Sequence, residues 1–330
     1  MLTNQERIEL AKTAFITTPS VANILTNIER CRRLSLIDAE PSCMMVYGST
    51  GEGKTSIIRK YLKENNRKSL KEGDIVPVLY IELPENAKPI DAAREILLQL
   101  NDPLAVYESD VTILTKRIIE LIPLLKIELI IIDEFQHLVE KNSNKILARV
   151  GDWLKILINK TKCPIILFGM PYSNVVLMAN SQLRSRFSIQ FHLRPFSYSE
   201  DKKHIFLGFL KQLDKSLPFE ELTGLEKEPL SKKLFAFSEG NMRSLRNLIF
   251  HASVQAIENN RNFISSDDFL YASQLTSGDK FSTWKNPFEK GVNITDNMTK
   301  DAPKELGWED YIRNNQRDKK PFDISKLFNS

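Results

Sequence analysis

The sequence has 330 residues, enough for one large domain or two moderate ones, and its 42% hydrophobic and 27% charged residues are the profile of a soluble globular protein rather than a disordered or fibrous one. Its net charge of +4 is compatible with a nucleic-acid partner but far too weak to argue for one. Three cysteines, Cys31, Cys43 and Cys163, lack the number and paired spacing of a disulfide framework or a zinc site, so reduced buried thiols are expected.

In chain order, residues 1–40 read as helices. The opening MLTNQERIELAKTAF has no apolar core of signal-peptide length, and no later run approaches the roughly 20 apolar residues that span a bilayer, so a cytoplasmic protein with no membrane partner is expected. Ser20 is positioned to cap a segment with apolar positions Val21, Ile24, Leu25 and Ile28. Short apolar runs then alternate with helical patterns. The spacing predicts strands over Cys43–Tyr47, Val76–Leu83, Ile127–Asp133, Cys163–Gly169 and Ile189–Leu193, and helices over Lys54–Asn65, Ile90–Gln99, Val111–Leu121 and Ile146–Asn159. Strand and helix in repetition, with strands apolar almost throughout, predict an α/β domain over 41–197: a five-stranded parallel sheet flanked by helices on both faces. After Pro195 only helical periodicity remains, broken near Pro218, Gly224, Gly240 and Asn259, which predicts a small all-α domain over 198–275.

The last stretch, 276–330, has no sustained apolar period and carries Gly278, Pro287, Gly291, Pro303, Gly307 and Pro321. It nevertheless holds Trp284 and Trp308 with Phe281, Phe288, Tyr311, Phe322 and Phe328. Disordered linkers are poor in aromatics, so these residues predict short segments that dock a protein partner; the alternative is that they fold back on the parent domain.

The chemistry starts at Gly48-Ser49-Thr50-Gly51-Glu52-Gly53-Lys54-Thr55, which satisfies G-x-x-x-x-G-K-[ST] in full. An apolar strand precedes it and a helix opens at Lys54, the flanks a phosphate loop needs and an idle glycine-rich turn does not. Glycines allow backbone N–H groups to turn inward around phosphates, and the helix N-terminus adds positive partial charge. The expected ligands are ATP and Mg²⁺, with Lys54 on the β- and γ-phosphates and the Thr55 hydroxyl on the metal.

The run Leu129-Ile130-Ile131-Ile132-Asp133-Glu134 is an apolar strand ending in two carboxylates, a Walker B pattern. Asp133 is expected to hold Mg²⁺ through water, and Glu134 to orient and polarise the attacking water. His137 follows on the next turn and is expected to be structural.

Three later segments resemble those of AAA+ ATPases. Ile165-Ile166-Leu167-Phe168-Gly169-Met170-Pro171 resembles the sensor 1 strand, yet its end offers Gly169 and Met170 where a polar side chain is usual; Tyr172, Ser173 or Asn174 are the available substitutes. Gln182-Leu183-Arg184-Ser185-Arg186-Phe187 resembles the segment that carries the arginine finger, which implies Arg186 first and Arg184 second as the group acting on a neighbour's ATP. Both could instead be surface arginines paired with carboxylates. Glu239-Gly240-Asn241-Met242-Arg243 resembles the sensor 2 motif G-N-x-R, which implies that Arg243 contacts the γ-phosphate from the same chain; a C-capped helix followed by a cationic one is the plainer reading.

Taken together, residues 20–275 resemble the TniB/TnsC family, transposon-encoded AAA+ regulators related to the phage MuB protein. The resemblance rests on the segment Thr17–Cys31, GSTGEGKT, IIIDEFQHL, ILFGMP, QLRSRF and GNMRSLRNLI, in this order and at this compact spacing. It implies the fold class of an AAA+ P-loop NTPase followed by a helical lid and a C-terminal tail. It also implies an ATPase that assembles as a ring or helical filament on double-stranded DNA, with sequence-tolerant binding. The partners it implies are the transposase TnsA/TnsB and a target-selection protein, TniQ or TnsD, with the length and tail looking like TnsC of CRISPR-associated or related cut-and-paste transposons. In an AAA+ ring the helices after the second and third strands lie near the centre, making Lys116, Arg117, Lys145 and Arg149 candidate phosphate contacts; for each the alternative is a solvated helix face. A replication initiator or helicase loader would use the same motifs, and a STAND-type signalling ATPase is a third class. A metabolic kinase is disfavoured, because it needs a substrate pocket rather than a trans-acting arginine.

Overall fold

In the computed structural model the described residues are 2–35, 37, 40–70, 73–140, 144–277 and 285–301. Phe281, Trp284, Trp308, Tyr311, Phe322, Phe328 and the Lys145 side chain, all singled out above, lie outside them. The chain opens with α1 (Asn4–Thr13), where the Thr3 hydroxyl and the Glu6 carboxylate cap reciprocally. Helix α2 (Pro19–Leu34) opens on Pro19, because proline's fixed φ suits a first helical position, so Ser20, expected to cap the helix, lies inside its first turn instead. Then come β1 (Met44–Gly48), α3 (Lys54–Glu64), β2 (Lys68–Leu70), β3 (Gly73–Ile75), β4 (Val78–Glu82), α4 (Pro89–Gln99), α5 (Val111–Leu124) and β5 (Leu129–Asp133). They are followed by α6 (Asn144–Thr161), β6 (Ile165–Gly169), α7 (Val175–Met178), α8 (Ser181–Arg186), β7 (Ile189–Leu193), α9 (Lys203–Ser216), α10 (Leu230–Ser238), α11 (Met242–Glu258) and α12 (Ser266–Thr276).

Two compact units result. One holds the described residues of Val21–Thr50 and Lys54–Leu193; the other holds those of Met1–Ser20, Gly51–Gly53 and Arg194–Lys304. The first is built on a five-stranded sheet in the order β4-β5-β6-β1-β7, parallel throughout. Alternate strand residues divide between its faces, as the two-residue period requires. Cys43, Met45, Ile130, Ile132, Ile165 and Leu167 join the core under α4, α5 and α6, while Met44, Val46, Leu129, Ile131, Ile166 and Phe168 join the core under α2 and α3. Burial on both faces explains the continuous apolar strands.

The ladder is narrower than the apolar runs. Val76, Leu83, Ile127 and Cys163 are buried but lie beyond the strand ends. The Val76 N–H goes to the Leu125 carbonyl at 2.9 Å and the Ile127 N–H to Ile122 at 3.0 Å, so burial outruns pairing. The antiparallel hairpin of β2 and β3 is an addition to the expected elements, too short and too polar to show a period.

In the second unit α9 to α12 surround a core rich in phenylalanine, with Phe206 edge-on to Phe235 at 5.4 Å. Ala11 of α1 is buried in that core, and the Arg246 guanidinium donates to the Ala11 and Lys12 carbonyls at 3.2 and 3.3 Å. Residues 1–40, read above as one helical segment, therefore divide between the units. Phe288 is also in this core, stacked on Phe269 at 5.4 Å, and Asn286 donates to Ser273 Oγ at 2.7 Å. Asp301 accepts from Ser197 Oγ at 2.7 Å and from the Tyr198 N–H at 3.1 Å. The described tail residues, 285–301, thus take the fold-back course. Among the described residues, no helix is long and apolar enough to cross a membrane.

Candidate nucleotide site

Strand β1 runs between β6 and β7 and delivers Gly48 to the carboxyl end of the sheet, where parallel α/β folds keep their ligand crevices. A Cβ on Gly48 would stand 2.4 Å from the Leu193 carbonyl oxygen, so only glycine fits beside β7. Gly51 and Gly53 hold φ of +89° and +93°, the left-handed region that lets successive N–H groups face one point. Lys54, only 7% exposed, donates through Nζ to the Gly48 and Ser49 carbonyls at 2.5 and 2.9 Å.

The acidic pair stands at the end of β5. Asp133 is 1% exposed; its Oδ2 accepts from Thr55 Oγ1 at 3.1 Å and its Oδ1 from the Glu134 N–H at 2.9 Å. Burial pushes its carboxyl up to about 6, outweighing these hydrogen bonds. Glu134 adopts φ 54°, ψ 37°, left-handed for a residue with a Cβ, a conformation that costs on the order of 1 kcal/mol or more and is held by its surroundings. Gln136 supplies part of that hold: Nε2 donates to the Glu134 carboxylate, and Oε1 accepts from the Met170 N–H at 3.1 Å. Sequence reasoning passed over Gln136, since a lone glutamine after D-E-F carries no pattern.

The end of β6 carries no polar side chain, and a Cβ on Gly169 would come within 2.7 Å of Ser173 Oγ. Of the three substitutes, the Tyr172 hydroxyl is bonded to the Glu140 carboxylate and Ser173 Oγ donates to the Met170 carbonyl at 2.6 Å. Asn174 Oδ1 is buried without a hydrogen bond. His137 Nδ1 lies 3.1 Å from Glu140 Oε2 and faces its own turn.

Arg184 is exposed on α8, whose start is capped by Asn180 accepting the Leu183 N–H at 3.0 Å. The Arg186 carbonyl accepts the Cys43 N–H at 2.9 Å, which anchors the end of α8 to the root of β1. Its guanidinium, on a side chain 16% exposed, is 3.6 Å from Glu40, whose side chain is 74% exposed, so water screens the carboxylate and the pair is weak.

In the helical unit, Gly240 is required twice over: φ is +78°, and a Cβ would meet the Phe196 carbonyl oxygen at 2.1 Å. Asn241 then caps α11, accepting the Ser244 N–H at 3.0 Å, and donates to Glu52 Oε1 at 2.9 Å, while the Arg243 N–H donates to the Gly51 carbonyl at 2.9 Å. Arg243 is exposed and, with Asn241, Ser244, Asn247 and Thr276, lines a cavity of about 240 Å³.

Among the other candidate cations, Lys116 on α5 and Arg149 on α6 are exposed, on helices joined by a Trp153 to Thr115 hydrogen bond of 3.1 Å. Arg117 is different, because it pairs with Asp102. Cys31, Cys43 and Cys163 are free and buried.

The buried carboxylate gives a pH prediction. Asp133 is harder to ionise in the folded chain than in the unfolded one, so its contribution to stability is fully present below pH 4 and is lost as pH rises through about 6. For the metal-free protein this amounts to at most about 3 kcal/mol. Melting temperatures from pH 4 to 8 are expected to fall more steeply for the wild type than for Asp133→Asn, and equal slopes would contradict the burial argument.

Residues 7–198 match the family model described as the bacterial TniB protein. Among solved structures, the Aeropyrum pernix ORC2 protein (ADPNP-ADP complexes) is 18% identical with a TM-score of 0.55, over 77% of this chain and 67% of that one. The Aeropyrum pernix ORC1 protein in complex with DNA is 16% identical with a TM-score of 0.56, over 81% and 68%. Drosophila ORC bound to DNA is 16% identical with a TM-score of 0.51, over 84% and 67%. At these identities the likeness is one of fold, and the fold is that of AAA+ NTPases with a parallel five-stranded sheet. No curated protein sequence matches. A family match that spans more than half the chain, on an AAA+ fold with a complete phosphate-loop sequence, makes this chain a member of the bacterial TniB protein family.

Proposed function

We propose that this chain is an ATP-hydrolysing regulator of DNA transposition that assembles on double-stranded DNA. The observation that carries the reading is the convergence of Lys54, Thr55, Asp133 and Glu134 at the carboxyl ends of β1 and β5, in a TniB family member. In this reading Gly48, Ser49, Thr50, Gly51, Glu52 and Gly53 enclose the β- and γ-phosphates with backbone N–H groups. Lys54 leaves the Gly48 and Ser49 carbonyls for the phosphates. The residues fit Mg²⁺: the Thr55 hydroxyl and a buried Asp133 carboxylate are hard oxygen donors hydrogen-bonded to each other, and Asp133 is costly to ionise without a cation. Bound with ATP, Mg²⁺ supplies charge neutralisation on the phosphate oxygens. Glu134 orients a water for in-line attack on the γ-phosphorus and takes up its proton, giving ADP and phosphate.

Arg186, with Arg184 second, supplies the guanidinium to a neighbouring copy's ATP, which makes assembly a condition of turnover. Arg243 is the sensor 2 candidate. Within its own unit, the Arg243 N–H donates to the Gly51 carbonyl and Asn241 donates to Glu52, which supports that role. Duplex DNA as partner is supported by the exposed cations on α5 and α6 and by fold relatives captured with DNA, ORC1 and Drosophila ORC. Contacts run to phosphates, so binding is sequence-tolerant and weakens with salt. The partners are the transposase TnsA/TnsB and a target-selection protein, TniQ or TnsD, and the tail, 276–330, with Trp308, Tyr311, Phe322 and Phe328 beyond the fold-back residues, docks one protein partner. A replication initiator or helicase loader is the second reading, favoured by the ORC likeness.

Glu134→Gln tests the chemistry. It is expected to bind ATP as the wild type does, to lose hydrolysis at least about a hundredfold, and to stay assembled on DNA. Phosphate release and sedimentation of the same sample read both; wild-type turnover would remove Glu134 as the base.

A further inference from the structure

We propose that Gln136 is a positioning residue for hydrolysis, fixing the Glu134 carboxylate and tying it through Met170 to the phosphate loop. The inference rests on the reading of Glu134 as the group that orients water. A primary amide has a donor end and an acceptor end, and here both are used in one direction each: Nε2 toward the Glu134 carboxylate, Oε1 toward the Met170 N–H at 3.1 Å. Gln136 is 5% exposed, and a buried amide satisfied at both ends is held in a single orientation. Its neighbour needs such a hold, because Glu134 sits in the left-handed region where the backbone alone is strained.

The position of the amide explains an oddity of β6. Where a polar sensor side chain is usual, this chain has Gly169, and a Cβ there would come within 2.7 Å of Ser173 Oγ and 3.3 Å of Gln136 Oε1 and the Phe135 Cβ. The glycine leaves the space that the Ser173 hydroxyl and the glutamine carbonyl share. The end of β6 therefore contributes a backbone N–H, and Gln136 relays it to the base. Met170 also touches the phosphate loop, since its sulfur accepts from Thr50 Oγ1 at 3.6 Å. Thr50, Met170, Gln136 and Glu134 form one connected path from the loop to the carboxylate proposed to orient the water.

The test uses the full chain with ATP and duplex DNA. Gln136→Met keeps the length and packing of the side chain and loses both hydrogen bonds. It is expected to lower kcat about 10- to 100-fold, the scale of a misplaced catalytic group, with affinity for a slowly hydrolysed ATP analogue within about twofold of wild type. Gln136→Glu retains an acceptor for the Met170 N–H and turns only the Glu134-facing donor into a carboxylate, so it carries the same expectation should the methionine variant fail to fold. In a Glu134→Gln background, Gln136→Met is expected to change residual turnover by less than about twofold, because its effect passes through Glu134. Wild-type kcat in both glutamine variants, or an undiminished loss in the Glu134→Gln background, overturns the proposal while leaving Glu134 as the base. Wild-type kcat in Glu134→Gln itself overturns the reading on which it rests.

Discussion

Lys54→Ala will abolish ATP binding and, with it, every ATP-dependent assembly. Its ammonium is the one cation inside the loop sequence, buried and held by two loop carbonyls within a short reach of where the phosphates are proposed to sit. Charge-assisted hydrogen bonds to phosphate are worth about 1.5–3 kcal/mol each, so losing two weakens nucleotide affinity by roughly a hundredfold or more. The fold itself should lose far less, since Gly48 and Ser49 surrender only that donor. Equilibrium binding of a labelled nucleotide, with melting temperature as the folding control, measures this; affinity within a few-fold of wild type would refute the phosphate-loop assignment.

Arg186→Ala should leave nucleotide affinity of the isolated chain within about twofold and lower turnover of the assembly by about a thousandfold, the smaller end of the range for an arginine finger. The physical basis is the loose hold on its guanidinium: a 3.6 Å approach to an exposed carboxylate, on a helix end pinned by the Cys43 N–H. A trans role has a distinctive signature. Mixed Arg186→Ala and Glu134→Gln chains should hydrolyse ATP although neither does alone, because one contributes an intact site and the other an intact arginine. A mixture no more active than its parts would rule out action across a subunit boundary, and a loss in Arg184→Ala instead would move the role two residues back.

The legible parts of this molecule were those written in a strong period or a fixed spacing. Four of the five strands follow from apolar runs that both sheet faces bury, while β7, the alternating and only part-buried IQFHL at the sheet edge, is found at the expected bounds Ile189–Leu193. The order β4-β5-β6-β1-β7 was not legible, because nothing in a strand's own residues says which neighbour it pairs with. The hairpin of β2 and β3 escaped because three residues per strand carry no period. Helix α1 shows why local reading fails at a domain's margin: it is held by one buried alanine, by two carbonyls taken by Arg246, and by Arg7, which donates to the Pro218 and Arg261 carbonyls and lies over Phe219, with no apolar stripe to announce any of it.

The site divides in the same way. The loop and the acidic pair are recognisable because their chemistry demands particular residues in sequence. Gln136 and the Asn241 to Glu52 contact depend on residues that only the fold brings within reach, the latter 189 residues apart in sequence. Arg117 looked the same as Lys116 in sequence, and only the loop carrying Asp102 distinguishes the two.

The most direct measurement is electron microscopy of the purified chain with duplex DNA and a slowly hydrolysed ATP analogue, beside samples lacking either one. The account predicts rings or helical filaments around the duplex only when both are present, with the same samples of Lys54→Ala remaining dispersed. Single particles of one chain under all conditions, or assemblies indifferent to nucleotide, would contradict it.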